Sequence, residues 1–264
     1  MLRHFAFTSP AALVAVTTRH GGVSTGVYDS LNLGAHVGDH PVAVRANRDR
    51  LAAALGVERV TFMDQQHTAS VAVVDRALAG RGHEGVDDAH AAFGAVDALM
   101  TDVPGVALAV LVADCVPVVL VDPLRRAVGV AHCGRAGTVL GLLPVTIAAM
   151  AAAYGTDPAD LLVGLGPSIG ADSYEVGERE IAEVAEAFAG LDLLRPTRPG
   201  HACLDLLTAL RHQLAQSEVP GGNIEVMGID TRRTTQDFFS DRDARPCGRF
   251  AAVVQLPTRL VQQT

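Results

Sequence analysis

Three near-continuous apolar runs, residues 106–112, 118–122 and 127–131, stand in close succession in the middle of a chain of 264 residues. Strands of this kind lack the polar alternation of a half-solvated sheet, so both of their faces need cover. That requirement limits the fold to layers in which sheet lies beneath other elements. Pro123 marks the turn between the second and third runs. Two breaks in the apolar pattern carry metal-capable side chains: Ala113-Asp114-Cys115-Val116-Pro117 and Ala131-His132-Cys133-Gly134. A third, in Gln65-Gln66-His67, follows the shorter β-rich run 59–63. His67, Cys115 and His132 thus fall where buried strands should end. A thiolate and two imidazoles are ligand types that zinc prefers, and three protein ligands leave one tetrahedral position open, the pattern of a catalytic site.

The chain is long enough to bury a full core. With 49% apolar and 19% charged residues it has the make-up of a globular protein rather than a disordered one. A net charge of −8 argues against a general electrostatic footprint for nucleic acid. All 21 basic residues are arginine. The lack of lysine excludes a P-loop lysine, Schiff-base catalysis and pyridoxal-phosphate attachment. An anionic substrate has to be held by guanidinium forks, backbone N–H groups or a metal. The cysteines at 115, 133, 203 and 247 form no C-x-x-C pair, and Met1-Leu2-Arg3-His4-Phe5 has no apolar signal-peptide core. Both observations point to reduced thiols in the cytoplasm. Residues 136–156 carry no charge, but Gly137, Thr138, Gly141, Pro144 and Thr146 interrupt them, so a buried helix is expected there and no membrane span.

Elsewhere, residues 13–18 form a strand that runs into the loop Arg19-His20-Gly21-Gly22-Val23-Ser24-Thr25-Gly26. Asp39, Pro41 and Gly56 bracket a helix. Residues 71–74 make a short strand and 80–88 an exposed loop. Helices are expected over 142–154, closed by Gly155, and over 177–189, closed by Gly190. Asp205 caps another that extends to about Gln216. Residues 224–227 and 250–256 are late strands. There is no internal repeat, and the Pro/Gly stretch 195–200 is too short a boundary to divide the chain, so one domain over 1–264 is expected.

Taken singly, a buried cysteine is commonly a small core hydrophobe and a lone histidine a hydrogen-bonded structural residue. Asp114 beside Cys115 adds weight, because a carboxylate in an apolar run costs free energy unless it is paired. Gly134 and Gly137 after His132 add more, since they permit close backbone approach. Cys133 follows His132 directly, and adjacent strand residues point to opposite faces, so only one of the two should face a metal; Cys133 and Cys203 are expected to be incidental thiols.

Several segments occur in order: Arg19-x-Gly21-Gly22-Val23-Ser24, Ser30-Leu31-Asn32-Leu33-Gly34, Ala113-Asp114-Cys115-Val116-Pro117, Gly166-Pro167-Ser168-Ile169-Gly170, Tyr174-Glu175-Val176-Gly177, and Phe239-Ser240-x-Arg242 with Gly248-Arg249. Together they resemble the YfiH-like family, also called laccase-domain proteins, polyphenol oxidases or peptidoglycan editing factors. The resemblance implies an α/β/β/α layered sandwich with a mixed central β region. It implies a cytoplasmic zinc enzyme that phosphorolyses adenosine, inosine, guanosine and methylthioadenosine and deaminates adenosine. The family's Cys-His-His metal site maps onto His67, Cys115 and His132. The chain departs from the family's usual Ala-His-Ala-Gly-Trp-Arg-Gly, having Arg135 and Ala136 at the Trp-Arg positions. It also has Arg242-Asp243-Ala244 for Arg-Arg-Asp, and Arg233-Thr234 for Cys-Thr.

Zinc lowers the pKa of a bound water from about 15.7 towards ~7, which suits deamination, whereas phosphorolysis needs phosphate held beneath the ribose C1′. Arg19, Arg242 and Arg249 are candidates for holding it, Arg19 favoured by its neighbouring glycines and Arg249 better read as a solvated surface residue. His20 is a candidate acid or base or else an exposed loop histidine, and Asn32 a candidate substrate contact. Asp114 can orient a ligand or cap a turn. Two other chemistries remain open. A cysteine hydrolase would use Cys115 as nucleophile with His67 or His132 as base, for example in peptidoglycan precursor editing. A copper-dependent phenol oxidase would need clustered histidines, and the chain has no His-x-His. The expected partners are purine nucleosides and inorganic phosphate, with no nucleic acid and no membrane; nothing in the sequence specifies a protein partner.

Overall fold

A computed structural model describes residues 1–6, 12–84 and 93–258. The first part of the chain supplies β1 (Leu2–His4), β2 (Leu13–Thr17), α1 (Pro41–Leu55), β3 (Val60–Thr61) and β4 (Val71–Val73). The apolar middle folds into β5 (Ala98–Thr101), β6 (Ala107–Val112), β7 (Val116–Asp122) and β8 (Ala127–Cys133), followed by α2 (Arg135–Val139) and α3 (Leu142–Tyr154). The remainder adds β9 (Leu162–Leu165), β10 (Glu175–Gly177), α4 (Glu178–Ala187), β11 (Leu194–Pro196) and β12 (His201–Leu204). It ends with α5 (Leu206–Gln216), β13 (Ile224–Val226) and β14 (Phe250–Gln255).

Two sheets stack face to face, one in the order β1-β2-β14-β6-β3 and the other β13-β9-β7-β8-β5-β4. Pairs β9–β13, β3–β6 and β4–β5 are parallel and the rest antiparallel, so both sheets are mixed. The side-chain period of two explains why the central strands are apolar throughout. In β6, Leu108, Val110 and Val112 enter the layer between the sheets, while Ala107, Ala109 and Leu111 pack with Leu51, Ala52 and Leu55 of α1. In β7, Val119 and Val121 face the other sheet, and Val118 and Leu120 pack with Leu143, Ile147 and Leu210 of α3 and α5. The order of layers is therefore helix, sheet, sheet, helix, as expected. Full burial of each such Val or Leu is worth about 1.5–3 kcal/mol, which fixes the strand ends that carry the site. A smaller sheet, β10-β12-β11, packs under α4 through Val176, Val184, Phe188 and Leu204.

Several boundaries differ from expectation for local reasons. His40, not Asp39, caps α1 through its ring Nδ1, which accepts from Val42 N; Asp39 instead accepts from Ser24 Oγ and Asn32 Nδ2 at 2.6 and 2.9 Å. Asp205 caps α5 as expected, accepting from Thr208 N. Residues 136–156 contain parts of two helices, divided at Gly141, whose φ of 75° no continuing helix adopts. Among the described residues no helix is long and apolar enough to cross a membrane. The loop expected over 80–88 is described only to 84, and Gly80, Gly82 and His83 in it are buried rather than exposed. Residues 195–200 lie in the β11–β12 hairpin, whose strands pair antiparallel, and not in a linker.

Candidate functional site

Strands β7 and β8 pair with Pro117 opposite His132 and Val116 opposite Cys133. His132 shares the parity of Val128 and Val130, which face the inter-sheet core, whereas Cys133 falls with Ala127 and Ala131 on the helix side. Cys115, one residue before β7, packs against the inter-sheet core. His67 arrives from the connection between β3 and β4 with φ 58°. The ligating atoms of His67, Cys115 and His132 all lie within 4.8 Å of one another, and the two imidazoles meet edge to face with centroids 4.7 Å apart. Donors around one tetrahedral zinc stand about 3.3–3.8 Å from each other, so the trio lies near the separation that a single ion needs. Gly134 clears the space beneath it: a Cβ there would sit 2.6 Å from Cys115 Sγ and 3.3 Å from His67 Cδ2. Donor type, spacing and the clearance at Gly134 all fit a metal.

Asp97, just before β5, is a member of the site that the sequence did not point to. It is fully buried. Its Oδ1 accepts from His67 N at 3.0 Å and lies 2.9 Å from His132 Nδ1. Its Oδ2 accepts from Gln66 N, Thr68 N and Thr68 Oγ1 at 3.2, 2.6 and 2.9 Å. Burial pushes this carboxyl up, but the His132 and Thr68 hydrogen bonds outweigh it and hold it at about 2. Burial likewise pushes the Cys115 thiol up, while the His132 and His67 imidazoles bring it down to about 6. Burial pushes His132 down, and the Cys115 thiolate with Asp97 raises it to about 9. Cys115, His132 and Asp97 therefore form a chain in which each neighbour favours the other's charged form. Burial drives the Cys133 thiol far above the ordinary thiol value, so it stays protonated and inert.

The trio lines a cavity of about 290 Å³ together with Arg135, Arg242, Arg245 and Arg249. Three of these arginines have carboxylate partners: Arg135 pairs with Glu183, and Arg245 and Arg249 share Asp241. Arg242 has none among the described residues; its NH1 donates to Glu175 O at 2.6 Å and its guanidinium lies over the Tyr174 ring at 5.1 Å. Asp114, at φ 89°, ties this segment to the Cys115 turn, because its Oδ2 accepts from Arg242 N and its Oδ1 from Thr231 Oγ1, at 2.7 and 2.6 Å. Gln65 anchors the His67 segment by pairing both ends of its amide with the Leu111 backbone at 2.7 and 2.8 Å. Burial and the Cys115 charge push the Tyr174 phenol up to about 12. Desolvation and then the Arg249 and Arg48 charges push His36, also in the lining, downward, so its imidazole is neutral.

The other expected site residues lie elsewhere or serve the chain itself. Arg19 donates to Asp29 O and Thr235 O at 2.7 and 2.8 Å and stacks on Phe239 at 4.5 Å, outside the cavity lining. His20 is exposed and paired with Asp237 at 3.2 Å. Asn32 is fully buried; its Oδ1 accepts from Gly34 N and Arg249 N at 2.9 and 2.8 Å, which leaves it supporting Arg249 rather than facing the cavity. Arg249, better read from sequence as a surface residue, lines the cavity. With Nε and NH1 held by backbone carbonyls, the fold does not bring the Arg19 guanidinium into the cavity with the trio.

Layered sheets with a His-Cys-His trio at their edge place the chain among laccase-like proteins: residues 13–257 match the family described as multi-copper polyphenol oxidoreductase laccase, and the chain belongs to it. Within that class it is 41% identical over 263 residues to a purine nucleoside phosphorylase of Streptomyces coelicolor, covering 96% of this chain and 95% of that protein. It is 37% identical over 248 residues to the purine nucleoside phosphorylase YlmD of Geobacillus stearothermophilus, covering 92% and 89%. The crystal structure of YlmD from that organism matches with a TM-score of 0.90 at 34% identity, over 97% of this chain and 98% of that one. That of the Bacillus licheniformis hypothetical protein YfiH matches with a TM-score of 0.88 at 31% identity, again over 97% and 98%.

Proposed function

We propose that the chain is a zinc-dependent purine nucleoside enzyme that phosphorolyses adenosine, inosine, guanosine and methylthioadenosine, and that also deaminates adenosine. The observation that carries this reading is the closure of His67, Cys115 and His132 beside a cavity to which Arg242 presents a guanidinium that has no carboxylate partner among the described residues. The names of the similar proteins support the phosphorylase part. A thiolate with two imidazoles suits zinc, the residues lining the cavity include no methionine to add the axial thioether of a mononuclear copper centre, and among the described residues no second metal-capable group accompanies the trio to form a multicopper centre. We assign the site to one catalytic domain over residues 1–264, working in the cytoplasm.

His67, Cys115 and His132 would hold the zinc, which when bound would supply Lewis acidity and a water of lowered pKa. The chain's own residues supply the rest. Arg242, steadied by Tyr174 and Glu175 O, can pair two phosphate oxygens with its fork. Arg249 and Arg245 add positive charge to the same wall, partly offset by Asp241. Tyr174 keeps its proton and offers a neutral hydrogen-bond donor; His36, held neutral, offers a proton acceptor. The test is incubation of inosine or adenosine with and without phosphate, following release of free base, alongside metal analysis of protein purified without added metal. Base release that needs phosphate, with about one zinc per chain, is the expected result; release indifferent to phosphate overturns the phosphorylase reading.

The cysteine-hydrolase alternative has its own support in the Cys115–His132–Asp97 chain, which has the charge pattern of a nucleophile, a base and an orienting carboxylate. Zinc on Cys115 would remove the nucleophile from play. A metal-free wild type with full activity would therefore favour the hydrolase.

A further inference from the structure

We infer that Asp97 is the positioning residue that presents both imidazoles of the site, its Oδ1 meeting His132 Nδ1 and His67 N while its Oδ2 holds the Gln66 and Thr68 N–H groups on either side of His67, and that no neutral isostere can replace it. The inference rests on reading the trio as a metal site. Five donors converge on this one fully buried side chain, and they come from both histidine-bearing segments. On one segment, three successive backbone N–H groups, of Gln66, His67 and Thr68, point at the carboxylate. A concave run of N–H groups of this kind is an anion nest. It accounts for the φ of 58° at His67, a left-handed conformation that a residue with a Cβ keeps only when its surroundings impose it. On the other segment, Oδ1 takes the Nδ1 proton of His132, which fixes the tautomer and leaves the Nε2 lone pair for a metal. The backbone strengthens the same link, since His132 N donates to Asp97 O at 2.7 Å.

Asparagine shows why two acceptor oxygens are needed. If its NH2 takes the Oδ1 place, it confronts the His67 N–H and can satisfy His132 only by donating to Nδ1, which moves the ring proton to Nε2 and blocks ligation. If the NH2 takes the Oδ2 place, it confronts the Gln66 and Thr68 N–H groups and releases the His67 turn. Either orientation disables one of the two histidines.

The experiment measures zinc affinity by competition with a chromophoric chelator for the wild type, Asp97→Asn and Thr68→Ala. Asp97→Asn should bind zinc about 10–100-fold more weakly. Thr68→Ala, which removes one hydroxyl donor and neither histidine contact, should stay close to the wild type. Undiminished affinity in Asp97→Asn overturns the inference, as does an equal loss in Thr68→Ala, which would make the effect one of general loosening. Should Asp97→Asn fail to fold by circular dichroism, nitrogen-15 NMR of the zinc-loaded wild type decides: a proton on His132 Nδ1 with Nε2 on the metal supports the assignment, and a proton on Nε2 overturns it. A wild type that takes up no zinc overturns the metal reading itself, and the inference with it.

Discussion

Two buried polar clusters, one beside α1 and one at the ends of β7 and β8, behave in opposite ways. Around the middle of α1, the buried polar side chains are engaged by the chain itself. Asn47 Oδ1 accepts from Val23 N at 2.8 Å, and its Nδ2 donates to Ser24 Oγ, Ser30 O and Asn32 O at 2.9, 3.1 and 2.8 Å. Arg48 donates to Leu33 O at 2.9 Å and to Gly82 O, and its guanidinium lies over the Phe62 ring at 4.2 Å. Around the cavity, His67, Cys115 and His132 turn ligating atoms toward one another, and among the described residues Arg242 has no carboxylate partner. Buried polar groups as such belong to architecture, because burial demands that they be paired. A functional site is distinguished by hydrogen-bonding and ligating capacity that the chain leaves open.

The contrast is broken most severely at Cys115. Cys115→Ser is expected to reduce phosphorolysis to background and strip the metal while the circular dichroism spectrum stays that of the wild type, because the residue stands at a strand end and not within the core. Metal analysis and base-release assays on the same preparation check both halves. Retention of metal and activity would erase the difference between the clusters. Asn47→Ala should do the reverse. It leaves several buried donors and acceptors unpaired at about 1–3 kcal/mol each, so a loss on the order of 3 kcal/mol in urea unfolding is expected. Turnover per folded molecule should remain near the wild-type value. A fall in turnover without a fall in stability would move Asn47 into the site.

A finer distinction separates two arginines. Arg242→Ala removes a charge-assisted contact to phosphate and should lower phosphorolysis about ten- to a hundredfold, with adenosine deamination less affected because it consumes water rather than phosphate. Arg19→Ala should leave the phosphate dependence unchanged and lower the unfolding midpoint, since its bonds run to Asp29 O and Thr235 O. A steady-state phosphate titration of both variants is the check; a raised phosphate KM in Arg19→Ala alone would reverse the assignment.

The layers and the trio were legible because their signals are local. An ionisable or soft side chain in an apolar run is anomalous where it stands, and strand parity separates His132 from Cys133 without a structure. The resemblance to a known family joined the three into one site, which no spacing rule does. Asp97 was not legible: it precedes a strand of four residues, too short to show a period, and its partners lie 30 and 35 residues away. The surroundings of Arg19 were not legible for a related reason. The glycines beside it are visible in sequence, but of the two carbonyls that engage its guanidinium one lies 216 residues further on. Whether a polar group is already satisfied is a property of the tertiary fold, and that is the property which divides the two clusters.

The mildest test uses the histidine on the α1 side. His83 is 1% exposed, its Nδ1 accepting from Val60 N at 3.2 Å and its Nε2 lying 3.0 Å from Asp49 Oδ1. Only the neutral ring with its proton on Nε2 satisfies both, because a second proton would set an N–H against the Val60 N–H. Burial lowers its pKa, the Asp49 contact opposes that, and the Arg48 and Arg45 charges act in the same direction as burial. With the folded value below the ordinary 6.5, the stabilisation from keeping His83 neutral is present above that pH and is lost as pH falls through the folded value. His36, lowered as well, contributes with the same sign. Urea midpoints at about pH 7.5 and about pH 5.5 should therefore show a less stable wild type at the lower pH. His83→Gln, less stable at both, should show a smaller difference between them, because a non-titrating amide replaces the imidazole. An equal difference in the variant would mean that the ring accepts its second proton without disturbing Val60, and the α1 cluster would then not be closed to protons in the way its hydrogen bonds require.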